Sequence, residues 1–462
     1  MEIAQILLEA ESTCQKNPDF LSTTESEILK QLKAEFHQEL IQLSSQNFHG
    51  KERHLMVFED STYTIAMDGL FRQNFLIEQN GKTNARSRTT LGGTVRGTLH
   101  ESLGFHLFFK NTLIRGEDIQ RERFNPSLGE PVTISGENVF SDDASAYIVL
   151  ELPWAELQLG RDRVQWGPGL ASNLMFSANN PRLDMFRIKA QYGPFHFTSL
   201  HGKLGSSLGQ KYVAAHRLEV RIKPWLIMGA AEAVVYGLRN AEPMYMNPLM
   251  PYHIAEHHLG DQDNNTMSFD WTIYPFKNHK CYAELFIDDW TSAKNPLTYY
   301  GNKFAFLLGW RWANPLGFTN VDIDMEYTRV EPFVYTHEDS INRYIHYDTP
   351  MGHWLGPDSD DLLLKGTILL HRDVTGILHA RHTRQGEMDV DTPHQDFMGK
   401  RKTFLSGTVE STWDVGMEMR VQLFKDAFLF AAYAYQHIEN WNHQPDKSTQ
   451  FHLTTINLKI DY

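Results

Sequence analysis

Residues 160–169 read GRDRVQWGPG, and they hold the first chemistry worth naming. Arg161 and Arg163, two apart, would share a strand face beside the tight turn Trp166-Gly167-Pro168-Gly169. A Trp stacks on the apolar face of a sugar ring, and a guanidinium pairs bidentately with a uronate carboxylate, so the trio suits a saccharide. The same residues equally suit a strand end with inward arginines paired to acids and an aromatic capping the turn. Residues 247–265, NPLMPYHIAEHHLGDQDNN, form a loop unusually long for a hairpin. Asn247, Tyr252, His253 and His257 there could bond or stack on sugar. His253-x-x-Glu256-His257 also matches a zinc-hydrolase pattern. That pattern needs a helix to align the two histidines and a third ligand that the sequence does not identify, so no metal is expected. Glu284 and Asp288 share a face of YAELFIDDW, as paired carboxylates for glycoside cleavage would. With Arg217, Arg221, Asp322, Asp324 and Glu326 they instead suggest a structural ion-pair network, and that reading is preferred. Arg381, Arg384 and Glu387 fall in ARHTRQGEMDVDTP, expected to be an exposed loop that contacts ligand or a neighbour.

The elements that carry these residues alternate with period two. In FHLTTINLKIDY at the carboxy terminus, Thr454, Ile456, Leu458, Ile460 and Tyr462 fall on one face, and Leu453, Thr455, Asn457, Lys459 and Asp461 on the other. Val321, Ile323, Met325 and Tyr327 alternate with Asp322, Asp324 and Glu326, and Met267, Phe269, Trp271 and Ile273 with Ser268, Asp270 and Thr272. Phe105, Leu107 and Phe109 oppose His106, Phe108 and Lys110. Residues 428–435, FLFAAYAY, are apolar on both faces. Turn signals such as residues 275–280, 314–317 and 444–447 break the runs every 10–15 residues. One all-β domain over 56–462, a large antiparallel transmembrane barrel of roughly 16–20 strands, fits this pattern. Residues 1–55 read differently. After a T-x-x-E capping box at residues 24–27, Ile28, Leu32, Phe36, Leu40 and Leu43 line one helical face, and residues 46–60 read as a connector.

Composition narrows the functions. The chain has 462 residues and 57 acidic against 43 basic side chains, net -14, which argues against nucleic acid as a partner. No apolar run reaches 18 residues, and mean hydropathy is -0.42, as expected when only alternate residues face lipid. Cys14 and Cys281 supply neither a metal spacing nor a disulfide framework. The N-terminus, MEIAQILLEAESTC, has no basic n-region or long apolar h-region, so an exported chain would have its signal peptide missing from this sequence.

In order along the chain, GRDRVQWGPG, NLMFSANNPRLDMFRI, AEAVVYGLRNAEPMYMNPLMPYHIAEHHLGDQDNNTMSFDW, YAELFIDD, the Arg-Gln-Gly-Glu segment at 384–387 and a strand FLSGTVE at 404–410 resemble the Wzi-type capsule assembly proteins of the Gram-negative outer membrane. The resemblance covers most of residues 55–462. It implies a barrel of about eighteen antiparallel strands, a small N-terminal periplasmic helical bundle and a blocked pore. The implied role is non-enzymatic: binding and anchoring exported capsular or other surface polysaccharide. The expected partners are that polysaccharide, outer-membrane lipid and the barrel-insertion machinery, with no cofactor and a monomeric state. The alternatives are a porin-like channel for oligosaccharides or small solutes and a zinc- or carboxylate-dependent hydrolase.

Overall fold

A computed structural model describes residues 2–17, 21–36, 40, 54–100, 102–117, 130–135, 138–291 and 293–461. Eighteen strands, from Tyr63–Asn80 to Thr449–Asp461, each pair antiparallel with the next, and the last pairs with the first. Phe71 lies opposite Ile460 and Ile77 opposite Thr454, so the sheet is a closed ring. Two further strands attach to it. Met56–Asp60 pairs with residues 63–67, just beyond where the last strand ends, and Glu130–Ser135 pairs with Asn138–Leu152. Strand Met56–Asp60 thus occupies part of the expected connector, whose remainder at 46–53 lies outside the described residues, as do Leu43 and Tyr462.

Side-chain parity sets which face is wet. Ile456 and Ile460 of the closing strand point outward and are exposed, while Leu453, Thr455, Asn457 and Lys459 point into the lumen. The same rule turns Phe109, Ile148, Leu308, Met325, Leu364, Leu378 and Met417 outward, all exposed. An exposed apolar belt around a ring of strands is stable only against lipid. At one end the strands are joined by short turns, such as 153–154, 193–194, 224–225, 372–373 and 425–426. That rim carries the exposed aromatics Trp154, Tyr192, Trp225, Tyr274, Phe276, Phe318 and Phe424, which form a girdle where hydrocarbon meets headgroups. The long connections, 163–182, 238–263, 331–358 and 386–409, all emerge at the other end.

The N-terminal helices α1 (Glu2–Lys16) and α2 (Thr23–Glu35) pack through Leu7, Leu8, Leu29, Leu32, Phe36 and Leu40. The capping box begins two residues before the expected one. Ser22 caps the helix and Glu25 returns the bond to the Ser22 backbone, because Ser22 is the residue whose backbone is extended. The helix pair docks at the short-turn end: the Ser22 hydroxyl donates to Asn320 at 2.7 Å, and Glu27 and Lys30 face Arg372 and Asp373 across a cleft of about 570 Å³.

A lipid-facing belt has a direct consequence. Ile456→Arg should destabilise the barrel by about 2–4 kcal/mol if it sits near mid-bilayer, whereas Asn457→Arg on the lumen face should be tolerated. The check is denaturant unfolding in detergent or liposomes, read by the heat-dependent gel mobility of the intact barrel. Equal effects at the two positions would contradict the assigned faces.

Candidate functional site

Two long connections enter the lumen from the long-loop end. Residues 163–182 and 331–358 fold inward, burying Leu174, Met175, Phe176, Val334, Tyr335, Tyr344 and Met351 against lumen-facing Ala215, Ala233, Tyr282, Phe286, Ala305 and Leu307. A loop inside a barrel must satisfy its backbone polar groups, and here wall carboxylates do so. Glu326 accepts the N–H groups of Leu170 and Ala171 at 2.6 and 2.9 Å. Glu284 accepts those of Leu174 and Met175 at 3.0 and 3.2 Å, and the Ser268 hydroxyl at 3.0 Å. Asp288 accepts the Tyr335 N–H at 2.7 Å. The two loops also bind each other: the Tyr335 hydroxyl donates to the Leu174 carbonyl at 2.7 Å, and Ser177 N–H to the Met351 carbonyl at 2.8 Å. Gly167, at φ 114°, lets the first loop approach Glu284 closely; a Cβ there would stand 2.8 Å from its carboxylate.

These positions revise the expected ion-pair network. Arg217 does pair bidentately with Asp270, and Arg311 with Asp322 at 2.7 Å and Asp324 at 3.5 Å. Arg221 is exposed toward the short-turn end and makes no ion pair among the described residues. Glu284, Asp288 and Glu326 share the lumen face as expected, but backbone N–H groups are their main partners. The reason is that inward loops present N–H groups where an arginine ladder would otherwise stand.

The residues nominated for sugar do not converge. Arg161 ends strand Ala155–Asp162 on the outer face, paired to Asp184 at 2.7 and 2.8 Å. Arg163 lies past the strand end, turned inward to the Ala178 carbonyl at 2.8 Å and Asp143 at 3.8 Å. The two therefore do not share a face, because the strand period lapses between them. Trp166 is no open platform: it packs edge-to-face on Phe176, with ring centroids 5.0 Å apart, within the plug. Arg381 and Arg384 are not in a loop. Both lie on strand Val374–Gln385, where opposite parity aims Arg381 at Asp361 in the lumen and Arg384 at Asp360 outside, each bidentately. Segment 404–409, expected to be strand, is loop; Asp358 accepts the Leu405 and Ser406 N–H groups at 2.7 and 3.0 Å, and strand resumes at Glu410.

Loop 238–263 folds onto the outside of the ring as a ledge. It carries helices α3 (Pro243–Met246) and α4 (Tyr252–Leu259). Tyr245, Tyr252 and Ala255 are buried on outward-facing Ala214, Val234 and Tyr236. Tyr252 is thus unavailable to a ligand, and Asn247 is exposed with its side chain accepting from Leu249 N–H at 3.1 Å. Outward-facing Glu232 accepts the Tyr252 and His253 N–H groups at 2.9 and 2.6 Å, capping α4. Glu256, the acid of the H-x-x-E-H pattern, is buried against the wall, and burial followed by the nearby Asp261 and Asp263 pushes its carboxyl up to about 8. His253 and His257, by contrast, are exposed. Among the described residues no group of three or more His, Cys, Asp or Glu is placed to hold a metal.

The long-loop rim instead presents aromatics from the connecting segments. Trp290 and Phe397 are 65% and 84% exposed, and Tyr347 and Trp354 are partly so. Tyr300 stacks on His394 with centroids 3.7 Å apart, and Arg381 lies 4.7 Å from the Trp354 ring centre. Their signal in the sequence is an aromatic within a long connection, outside any alternating run.

A comparison with curated protein sequences found no match. Among solved structures, the chain is similar to Wzi of Escherichia coli, described as an outer-membrane protein involved in group 1 capsule assembly and a carbohydrate-binding β-barrel. The TM-score is 0.59 at 12% identity, over 96% of this chain and 89% of that one. It is also similar to OccK2 (OpdF) of Pseudomonas aeruginosa, solved in complex with glucuronate, at TM-score 0.50 and 10% identity over 86% and 97%. These likenesses concern the fold. Residues 135–453, well over half of the chain, match the family model of the capsule assembly protein Wzi, and the chain belongs to that family.

Proposed function

We propose that this chain is an outer-membrane barrel that binds and anchors exported surface polysaccharide, capsular polymer foremost, without catalysing a reaction on it. The observation that carries the reading is the lumen occupied by two loops held on buried carboxylates. A lumen occupied in this way favours a rim that holds a ligand over a channel that passes a solute. The short-turn end, where α1 and α2 dock, faces the periplasm, and the long-loop rim faces outward. Trp290, Tyr347, Trp354 and Phe397 supply stacking surfaces there, and Arg381 stands behind Trp354. Each contact with a sugar is weak, and a repeating polymer strengthens them by engaging many copies at once. In this reading the barrel acts as a monomer in outer-membrane lipid, delivered by the barrel-insertion machinery.

Three measurements test this. Cells lacking the protein should release polysaccharide into the medium while making the same total amount; unchanged cell-bound polymer would refute anchoring. Trp290→Ala and Phe397→Ala should each weaken polymer binding about fivefold, the ~1 kcal/mol of one aromatic contact, with gel mobility unchanged. Purified protein in a planar bilayer should show no steady current, whereas Glu284→Ala with Glu326→Ala should open intermittent conductance by orphaning four loop N–H groups. Steady current through the unmodified protein would favour the channel reading.

A further inference from the structure

Helix α4 is held rigidly on the outer ledge. Glu232 caps its N-terminus, Gly260 ends it in the left-handed region at φ 104°, and Tyr252 and Ala255 anchor one side against the barrel wall. The opposite side carries His253 and His257, one turn apart, both exposed. Their Nε2 atoms are 3.3 Å apart, with the rings inclined at 68°. Two metal–nitrogen bonds of about 2.1 Å meeting near the tetrahedral angle set their donors about 3.4 Å apart. The imidazole pair therefore already has the spacing of two ligands on one ion. Asp261 lies 3.3 Å from the His257 Nδ1, on the side from which a carboxylate orients a ligating ring, and the hydrogen bond between the two Nε2 atoms gives way when a metal takes their lone pairs.

We propose that His253 and His257 form a two-imidazole site for a divalent transition-metal ion on the outer ledge, with Asp261 as its orienting carboxylate. The ion takes its remaining ligands from water or from an anionic group in solution, since the histidines open to solvent. Imidazole donors select copper, nickel and zinc over magnesium and calcium, and the Irving–Williams order ranks copper first. Glu256 takes no part, because it faces the barrel wall. The site stands apart from polysaccharide binding at the rim, so either reading can fail without the other.

The test is calorimetric titration of the full-length protein in detergent at pH 7.5 with copper, nickel and zinc salts, and with magnesium and calcium as controls. One equivalent of transition metal should bind, tightest for copper. His253→Ala and His257→Ala should each weaken it by more than about tenfold, and Asp261→Asn by about tenfold, the usual effect of losing a carboxylate partner. His258→Ala and Glu256→Gln should leave it intact, and heat-dependent gel mobility should confirm that every variant is folded. Binding that persists in the His253→Ala, His257→Ala double variant, or that is absent from the unmodified protein, would overturn the site. Loss of binding in Glu256→Gln would likewise overturn the geometry argued here.

Discussion

In hydrocarbon no water is present to bond an exposed backbone N–H or C=O, so a sheet that crosses it must close on itself. Here the pairing of residues 70–79 with 452–461 joins the last strand to the first and removes the open edges. Everything else follows from that closure. It divides each strand into a lipid face and a lumen face, while antiparallel pairing sends alternate connections to opposite ends, the long ones to one of them. The ring would enclose water if nothing filled it, so how the interior is occupied decides between a channel and a binding scaffold.

The interior is occupied by backbone as much as by side chains. A buried carboxylate is costly unless its charge is met, and a buried loop N–H is costly unless it is accepted. Each need answers the other at Glu284 and Glu326, which each take two consecutive loop N–H groups in charge-assisted bonds. Glu232 and Asp358 repeat the device on the outer ledge and beneath loop 386–409. The recurrence gives one physical rule for four loop segments: a carboxylate on or beside the wall sets where the loop chain runs. Tyr335 then links the two plug loops to each other through its hydroxyl.

This placement separates two surfaces that the chain order mixes. Residues 247–265 read as one histidine-rich loop, yet they form a helical ledge on the outside of the wall, with Tyr252 locked beneath. The aromatic rim comes from several other connections, through Trp290, Tyr347, Trp354 and Phe397.

The period-two runs were legible in the residues themselves, because alternation along FHLTTINLKIDY or VDIDMEYTRV is a local property of a pleated strand. Strand identity, the lipid and lumen faces and the approximate strand number therefore came from the chain alone, and so did the helical N-terminus. What the chain could not determine was which partner a polar residue would meet. Glu284 and Glu326 look like members of a salt-bridge ladder until loop 163–182 arrives more than a hundred residues away in sequence. Arg381 and Arg384 sit three apart, which says nothing of a strand that sends them to opposite sides of the wall. Loop course depends on contacts between distant segments, and those exist only once the ring has closed; the occupied lumen, the ledge and the rim were accordingly decided by the tertiary structure.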